Sequence, residues 1–123
     1  MKKILLIEDE LPLVRIIKSS LEKHNIEVIT ADTIKKALAC VETANVDAIW
    51  LDHYLPGKET GIDFVTKLKS NNSKWKNLPV FVVSNTASSH NVITYKQLGV
   101  SKYYVKALHQ LDEIIKEIKP LIK

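Results

Sequence analysis

Glu8, Asp9, Asp52, Ser84 and Lys106 each stand directly behind a short strand-like run of this sequence. Glu8-Asp9-Glu10 follows KILLI, Asp52 follows AIWL, Ser84 follows VFVV and Lys106 follows KYYV. If these runs are parallel strands of one sheet, the polar residues collect at its carboxyl edge, where open α/β sheets bind their ligands. Carboxylates crowded together stay ionised when a cation lies among them. Hard oxygen ligands of this kind suit Mg²⁺, which takes one or two carboxylates, several waters and phosphate oxygens. A lysine opposite is a compact cation for a phosphoryl oxygen, and an aspartate carboxylate can itself be the nucleophile that forms an aspartyl-phosphate. With metal, lysine and hydroxyl stabilising charge on the group in transit, the set suits phosphoryl transfer. A single acid or serine behind a strand is more often a turn or cap residue. The case rests on the conjunction.

The elements that must position these residues are legible as alternating patterns. Lys3–Ile7 is a continuous apolar strand, and Leu11–His24 carries Val14, Ile17 and Leu21 at near-helical spacing. Ile26–Thr30 alternates as a strand, and Thr33–Thr43 places Ile34, Ala37, Leu38 and Val41 on one helix face, with Asp32 or Thr33 as its cap. The strand Ala48–Leu51 follows, then a helix over Gly61–Ser70 with Ile62, Val65 and Leu68 on one side. A polar loop, SNNSKWKN, leads through Pro79 to the strand Val80–Val83. A weaker helix over Ser89–Leu98 ends at Gly99, a left-handed cap. The strand Lys102–Val105 precedes a last helix striped by Leu111, Ile114, Ile115, Ile118 and Ile122, which Pro120 should stop.

Five β units therefore alternate with five α units. Strands that read as unbroken apolar runs are buried on both faces, as in a parallel sheet with helices on each side. With right-handed crossovers the pattern predicts an α/β, flavodoxin-like doubly wound (βα)5 fold of strand order 2-1-3-4-5. At 123 residues the whole of 1–123 reads as one domain.

Composition bounds the function further. The chain is 46% hydrophobic and 26% charged, an ordinary globular balance. A single cysteine, Cys40, excludes an intramolecular disulfide and points to a reducing, cytoplasmic compartment. No signal peptide is visible, and no stretch nears the roughly 18 apolar residues of a membrane span. The net charge of +4 is spread over Lys18, Lys36, Lys67, Lys96 and Lys116 rather than clustered, so no direct nucleic-acid binding is expected.

These residues resemble the receiver domains of two-component response regulators over essentially the whole chain. KKILLIEDE is similar to that family's first strand and acidic pair, DHYLPG to its phosphoacceptor loop, PVFVVSN to its fourth strand and hydroxyl residue, and GVSKYYVKA to its aromatic-to-lysine segment. The resemblance implies that Asp52 accepts a phosphoryl group from a histidine kinase or phosphotransfer protein. It implies that Glu8 and Asp9 hold Mg²⁺ together with Asp52 and the backbone carbonyl of Tyr54, and that Lys106 pairs with the phosphoryl oxygens. Ser84 would then swing toward the phosphate and Tyr103 turn inward. The face made by the fourth helix, fifth strand and fifth helix would change for an unknown downstream target or a second copy of the chain. Such a domain is a switch, not a turnover enzyme, and with no output domain after Lys123 it either acts alone or is cut from a longer regulator.

The sequence departs from the family's pattern in places. Ala107 follows Lys106 where proline on a cis bond is usual; cis before alanine costs about 3 kcal/mol, so a trans lysine loop is expected. Asn85 stands where a small residue is usual, and Gly61 comes one residue late, giving a longer loop after Pro56. The displaced proline after the acidic pair leaves Glu10 as an alternative to Asp9. Three other classes compete: a receiver-like interaction module independent of phosphate, an aspartate-nucleophile phosphatase, and a flavin-binding flavodoxin. The phosphatase generally wants another acid two residues on, where this chain has Tyr54. The flavodoxin wants a hydroxyl- and glycine-rich phosphate loop after its first strand, where this chain has acids. Tyr54 is either a cover over the phosphoryl group or a solvent-facing loop residue. His24, His53, His90 and His109 show no metal spacing, and His53 is expected to serve the loop. Trp50 and Cys40 read as packing residues, and Trp75 as either an anchor or an exposed contact.

Overall fold

The computed structural model describes residues 1–53, 60–70, 73–84, 89–106 and 110–122, with only the backbone at 89 and 90. The elements run β1 (Lys2–Ile7), α1 (Leu11–Lys23), β2 (Ile26–Ala31), α2 (Ile34–Thr43), β3 (Ala48–Leu51), α3 (Gly61–Leu68), β4 (Val80–Ser84), α4 (Ser89–Leu98), β5 (Lys102–Val105) and α5 (Leu111–Ile118). The five strands form one parallel sheet in the order β2-β1-β3-β4-β5, as the alternation predicts. No described helix is long and apolar enough to cross a membrane.

Strand alternation splits the buried side chains into two layers. Ile4, Leu6, Ala48, Trp50, Phe81 and Val83 face α1 and α5, meeting Ile17, Leu21, Ile114, Ile115 and Ile118. Leu5, Ile7, Ile49, Leu51, Val80 and Val82 face the opposite way, meeting Ala37 and Val41 of α2, Phe64 and Val65 of α3, and Tyr95 of α4. Each fully buried aliphatic or aromatic side chain contributes roughly 1.5–3 kcal/mol by leaving water, so the two layers carry most of the stability. Trp50 is core, and Cys40 is half-buried against the second layer. Trp75 resolves as an anchor: it packs on that layer, with the Lys74 ammonium 4.9 Å over its ring.

Local signals set the element ends. Of the two candidate caps for α2, Thr33 does the work, accepting from Lys36 N at 3.1 Å. Thr60 and Asp63 form a reciprocal capping box at the start of α3. Pro12 sits in the first turn of α1, where no intrahelical donor is lost, and α5 ends at Ile118 in a short 3-10 turn that contains Pro120. Beyond α3, the Lys69 ammonium reaches back to donate to the carbonyls of Lys76 and Leu78, pinning the loop that feeds β4.

Gly99 closes α4 with φ +91°, a backbone conformation that costs a side-chain-bearing residue about 1–2 kcal/mol. An added Cβ would meet nothing within 4 Å, so that cost is purely conformational. Gly99→Ala should therefore lower the urea-unfolding free energy by about 1–2 kcal/mol without altering the circular dichroism of the native state.

Candidate functional site

The parallel register places the site. Ile7 pairs with Leu51 across β1 and β3, so the next residues, Glu8 and Asp52, emerge side by side at the carboxyl edge. Asp52 N donates to Ile7 O at 3.0 Å, and Glu8 N donates to Ala31 O at 3.0 Å, which extends the ladders one residue past the strands. Both carboxylates are nearly enclosed, Glu8 3% and Asp52 7% exposed, while Asp9 is exposed at the rim. One oxygen from each of Glu8, Asp9 and Asp52 lies within 4.8 Å of the others, which is the only such acidic group among the described residues. Glu10, the alternative to Asp9, stays outside this group and occupies the cap position of α1.

Lys106 enters from the end of β5. Its ammonium donates to Glu8 Oε1 at 2.9 Å and lies 3.7 Å from Asp52 Oδ2. The other oxygen of Glu8 accepts from the backbone of Asp9 at 3.0 Å and, more weakly, of Glu10 at 3.4 Å. Burial pushes the pKa of Glu8 up, but its hydrogen bonds with Lys106 and Asp52 and the lysine charge outweigh burial and hold it below 4.5. The carboxylate is thus kept charged where a cation would use it. Three converging carboxylates offer the hard oxygen donors that a small divalent cation takes, so the residues present fit Mg²⁺.

Ser84 is fully buried at the end of β4, in register with Val105, the residue before Lys106. Tyr103 is half-buried against the second core layer, its ring centroid 5.7 Å from that of Tyr95. The expectations for Tyr54, Asn85, the loop after Pro56 and the Lys106-Ala107 peptide fall outside the described residues.

His53 lies just past β3, at the start of the loop it was expected to serve, and it is buried there: it is 5% exposed, and burial holds its pKa below 6.5. Its Nδ1 lies 2.6 Å from Tyr95 Oη, and Asn91 Nδ2 is 3.3 Å from its Nε2. Tyr95 and Asn91 had no place in the sequence reading, because α4 has too weak an apolar stripe to mark its inner face. The available signal was Gly61: an added Cβ there would collide with the Tyr95 hydroxyl.

Comparison with known proteins fits this geometry. Residues 4–119 match the response regulator receiver domain family. The chain is 33% identical to the Pseudomonas aeruginosa chemotaxis protein CheY over 105 residues, covering 85% of this chain and 83% of that protein. It is 30% identical over 106 residues to the Escherichia coli KDP operon transcriptional regulatory protein KdpE, covering 86% of this chain and 45% of the relative. The chain spans about half the length of several curated relatives that it matches. Among solved structures, the phosphorylated cyanobacterial phytochrome response regulator RcpA superposes with a TM-score of 0.85 at 30% identity, covering 98% of this chain and 93% of that one. The chain belongs to the receiver domain family of two-component response regulators, a family of signalling domains.

The ion pair at the site has a measurable signature. The folded pKa of Glu8 lies below its unfolded value, so its contribution to stability is complete above pH 4.5 and is lost as pH falls through the folded pKa. As pH falls below 4.5, unfolding free energy should fall more steeply in wild type than in Glu8→Gln. At neutral pH, Lys106→Met should cost about 2 kcal/mol by urea titration, because it leaves Glu8 buried without its cation.

Proposed function

We propose that residues 1–123 form one receiver domain that works as a phosphorylation-dependent switch, with Asp52 as the phosphoacceptor. The observation that carries this is the convergence of Asp52, Glu8 and Asp9 within 4.8 Å, with the Lys106 ammonium 3.7 Å from Asp52. A carboxylate oxygen of Asp52 attacks the phosphorus of a phosphohistidine on a kinase or phosphotransfer protein. The P–N bond breaks, the imidazole leaves with the bonding pair, and an acyl phosphate forms on Asp52. Lys106 is placed to pair with an oxygen of the arriving group, exchanging a carboxylate partner for a phosphoryl one. Glu8, Asp9 and Asp52, with the carbonyl of Tyr54, would hold Mg²⁺, which when bound would neutralise charge as a phosphoryl dianion approaches the carboxylates.

Ser84, at the neighbouring strand end, donates its hydroxyl to the phosphoryl group, and Tyr103 follows by turning inward. The surface of α4, β5 and α5 then changes for a downstream protein, or for a second copy of the chain. The reaction is confined to the domain's own phosphorylation and dephosphorylation, so it is a signalling step rather than turnover of a diffusible substrate. We place it in the cytoplasm, without direct contact to nucleic acid or membrane. The phosphorylated state of RcpA, of the same fold, supports the assignment.

Incubation with Mg²⁺ and acetyl phosphate should add one phosphoryl mass to the wild type and none to Asp52→Asn. Asp9→Asn should weaken both Mg²⁺ affinity and labelling by at least about tenfold. A wild type that gains no mass and binds no Mg²⁺ would overturn the reading.

A further inference from the structure

We infer that His53 is a positioning residue that ties α4 to the backbone carrying Asp52, giving the α4–β5 face a second connection to the phosphoacceptor beside Ser84. The inference rests on the reading of Asp52 as the phosphoacceptor.

Asp52 and His53 are adjacent, yet they serve opposite layers. The Asp52 carboxylate meets Lys106, while the His53 ring meets α4. The two-residue segment is held on both sides: Asp52 N donates to Ile7 O, and Gly61 N donates to His53 O at 3.2 Å. A shift of Asp52 is therefore passed to the His53 ring rather than absorbed by a loose loop.

The ring grips α4 at two points one turn apart. With the Asn91 amide nitrogen donating to Nε2, a neutral imidazole keeps its proton on Nδ1 and donates it to Tyr95 Oη. The rings of His53 and Tyr95 also meet edge to face, 5.5 Å apart at 83°. Residues four apart lie on one helix face, so both contacts address the same side of α4.

What makes the grip consequential is the depth of the side chain it holds. Among the described side chains of α4, Tyr95 is the only fully buried one; Asn91, Val92, Thr94 and Leu98 are partly covered and Ile93 is exposed. The one fully buried side chain described in α4 thus ends on the residue next to Asp52. Gly61 admits it, since any side chain there would displace the Tyr95 hydroxyl. The Tyr95 ring also meets Tyr103 on β5, the two rings tilted at 44° with centroids 5.7 Å apart. The line Asp52–His53–Tyr95–Tyr103 is continuous from the acidic site to the half-buried tyrosine of the output face.

The test uses the full chain loaded with Mg²⁺ and beryllofluoride, read by amide NMR over Val92–Tyr103, beside acetyl phosphate labelling read by mass. Tyr95→Phe and His53→Leu should still be labelled at Asp52, while the beryllofluoride-induced shifts of α4 and Tyr103 amides fall by about twofold or more. His53→Asn keeps a donor at the Nδ1 position and should recover most of the wild-type response. A purely structural role would lower the melting temperature and leave those induced shifts intact, and that result overturns the inference. If the substituted chains do not fold, the ring ¹⁵N resonances of wild-type His53 decide: they should move with beryllofluoride, and a ring that stays unchanged while α4 amides move also overturns it. A wild type that is never labelled overturns the phosphoacceptor reading, and this inference falls with it.

Discussion

Two carboxylates buried side by side at the end of a parallel sheet are the constraint on which this end of the molecule depends. The register of β1 and β3 makes Glu8 and Asp52 neighbours whether or not that is electrostatically comfortable. Like charges this close would drive one group to protonate, and a protonated acid is a poor metal ligand and a poor nucleophile. Lys106, from the far strand, and the hydrogen bond between Glu8 and Asp52 hold Glu8 in the charged form, and the amides of Asp9 and Glu10 satisfy the remaining oxygen of Glu8. The arrangement keeps Glu8 charged while leaving Asp9, at the rim, open to solvent.

Holding those charges in place requires a scaffold that does not yield. β3 is buried along its whole length, with Ala48 and Trp50 on one layer and Ile49 and Leu51 on the other. Asp52 is thus fixed by packing on both faces of the strand before it, and its own amide extends the ladder. Among the described side chains of α4, by contrast, only Tyr95 is fully buried. A strand buried along its whole length beside a helix with one deeply buried side chain suits the proposed switch, because a local change in charge can bias one element without loosening the core.

Most of this was legible in the sequence. The apolar runs specified the strands, and the residue behind each run specified the site, because parallel strands deliver their carboxyl ends to one edge. Thr33, Gly99 and Pro120 marked their helix ends for local reasons that need no tertiary context. The part that was not legible is the link to α4. A histidine behind a strand and a tyrosine in a weakly patterned helix carry no spacing that joins them, since their contact spans 42 positions. It forms only once the sheet has brought β3 and α4 together. Hydrogen bonds between distant side chains leave no periodic trace, whereas hydrophobic layers do.

The two-layer core has a consequence for how this domain can vary. The sheet lies between the layers, so a substitution on the α1/α5 side disturbs packing that the α2/α3/α4 side does not share. Stability effects of core changes on opposite sides should add, whereas changes within one layer should couple. The chain therefore offers two compartments for sequence drift, free to be retuned separately, with the short crossing from Asp52 to His53 as a place where a change in one is felt in the other.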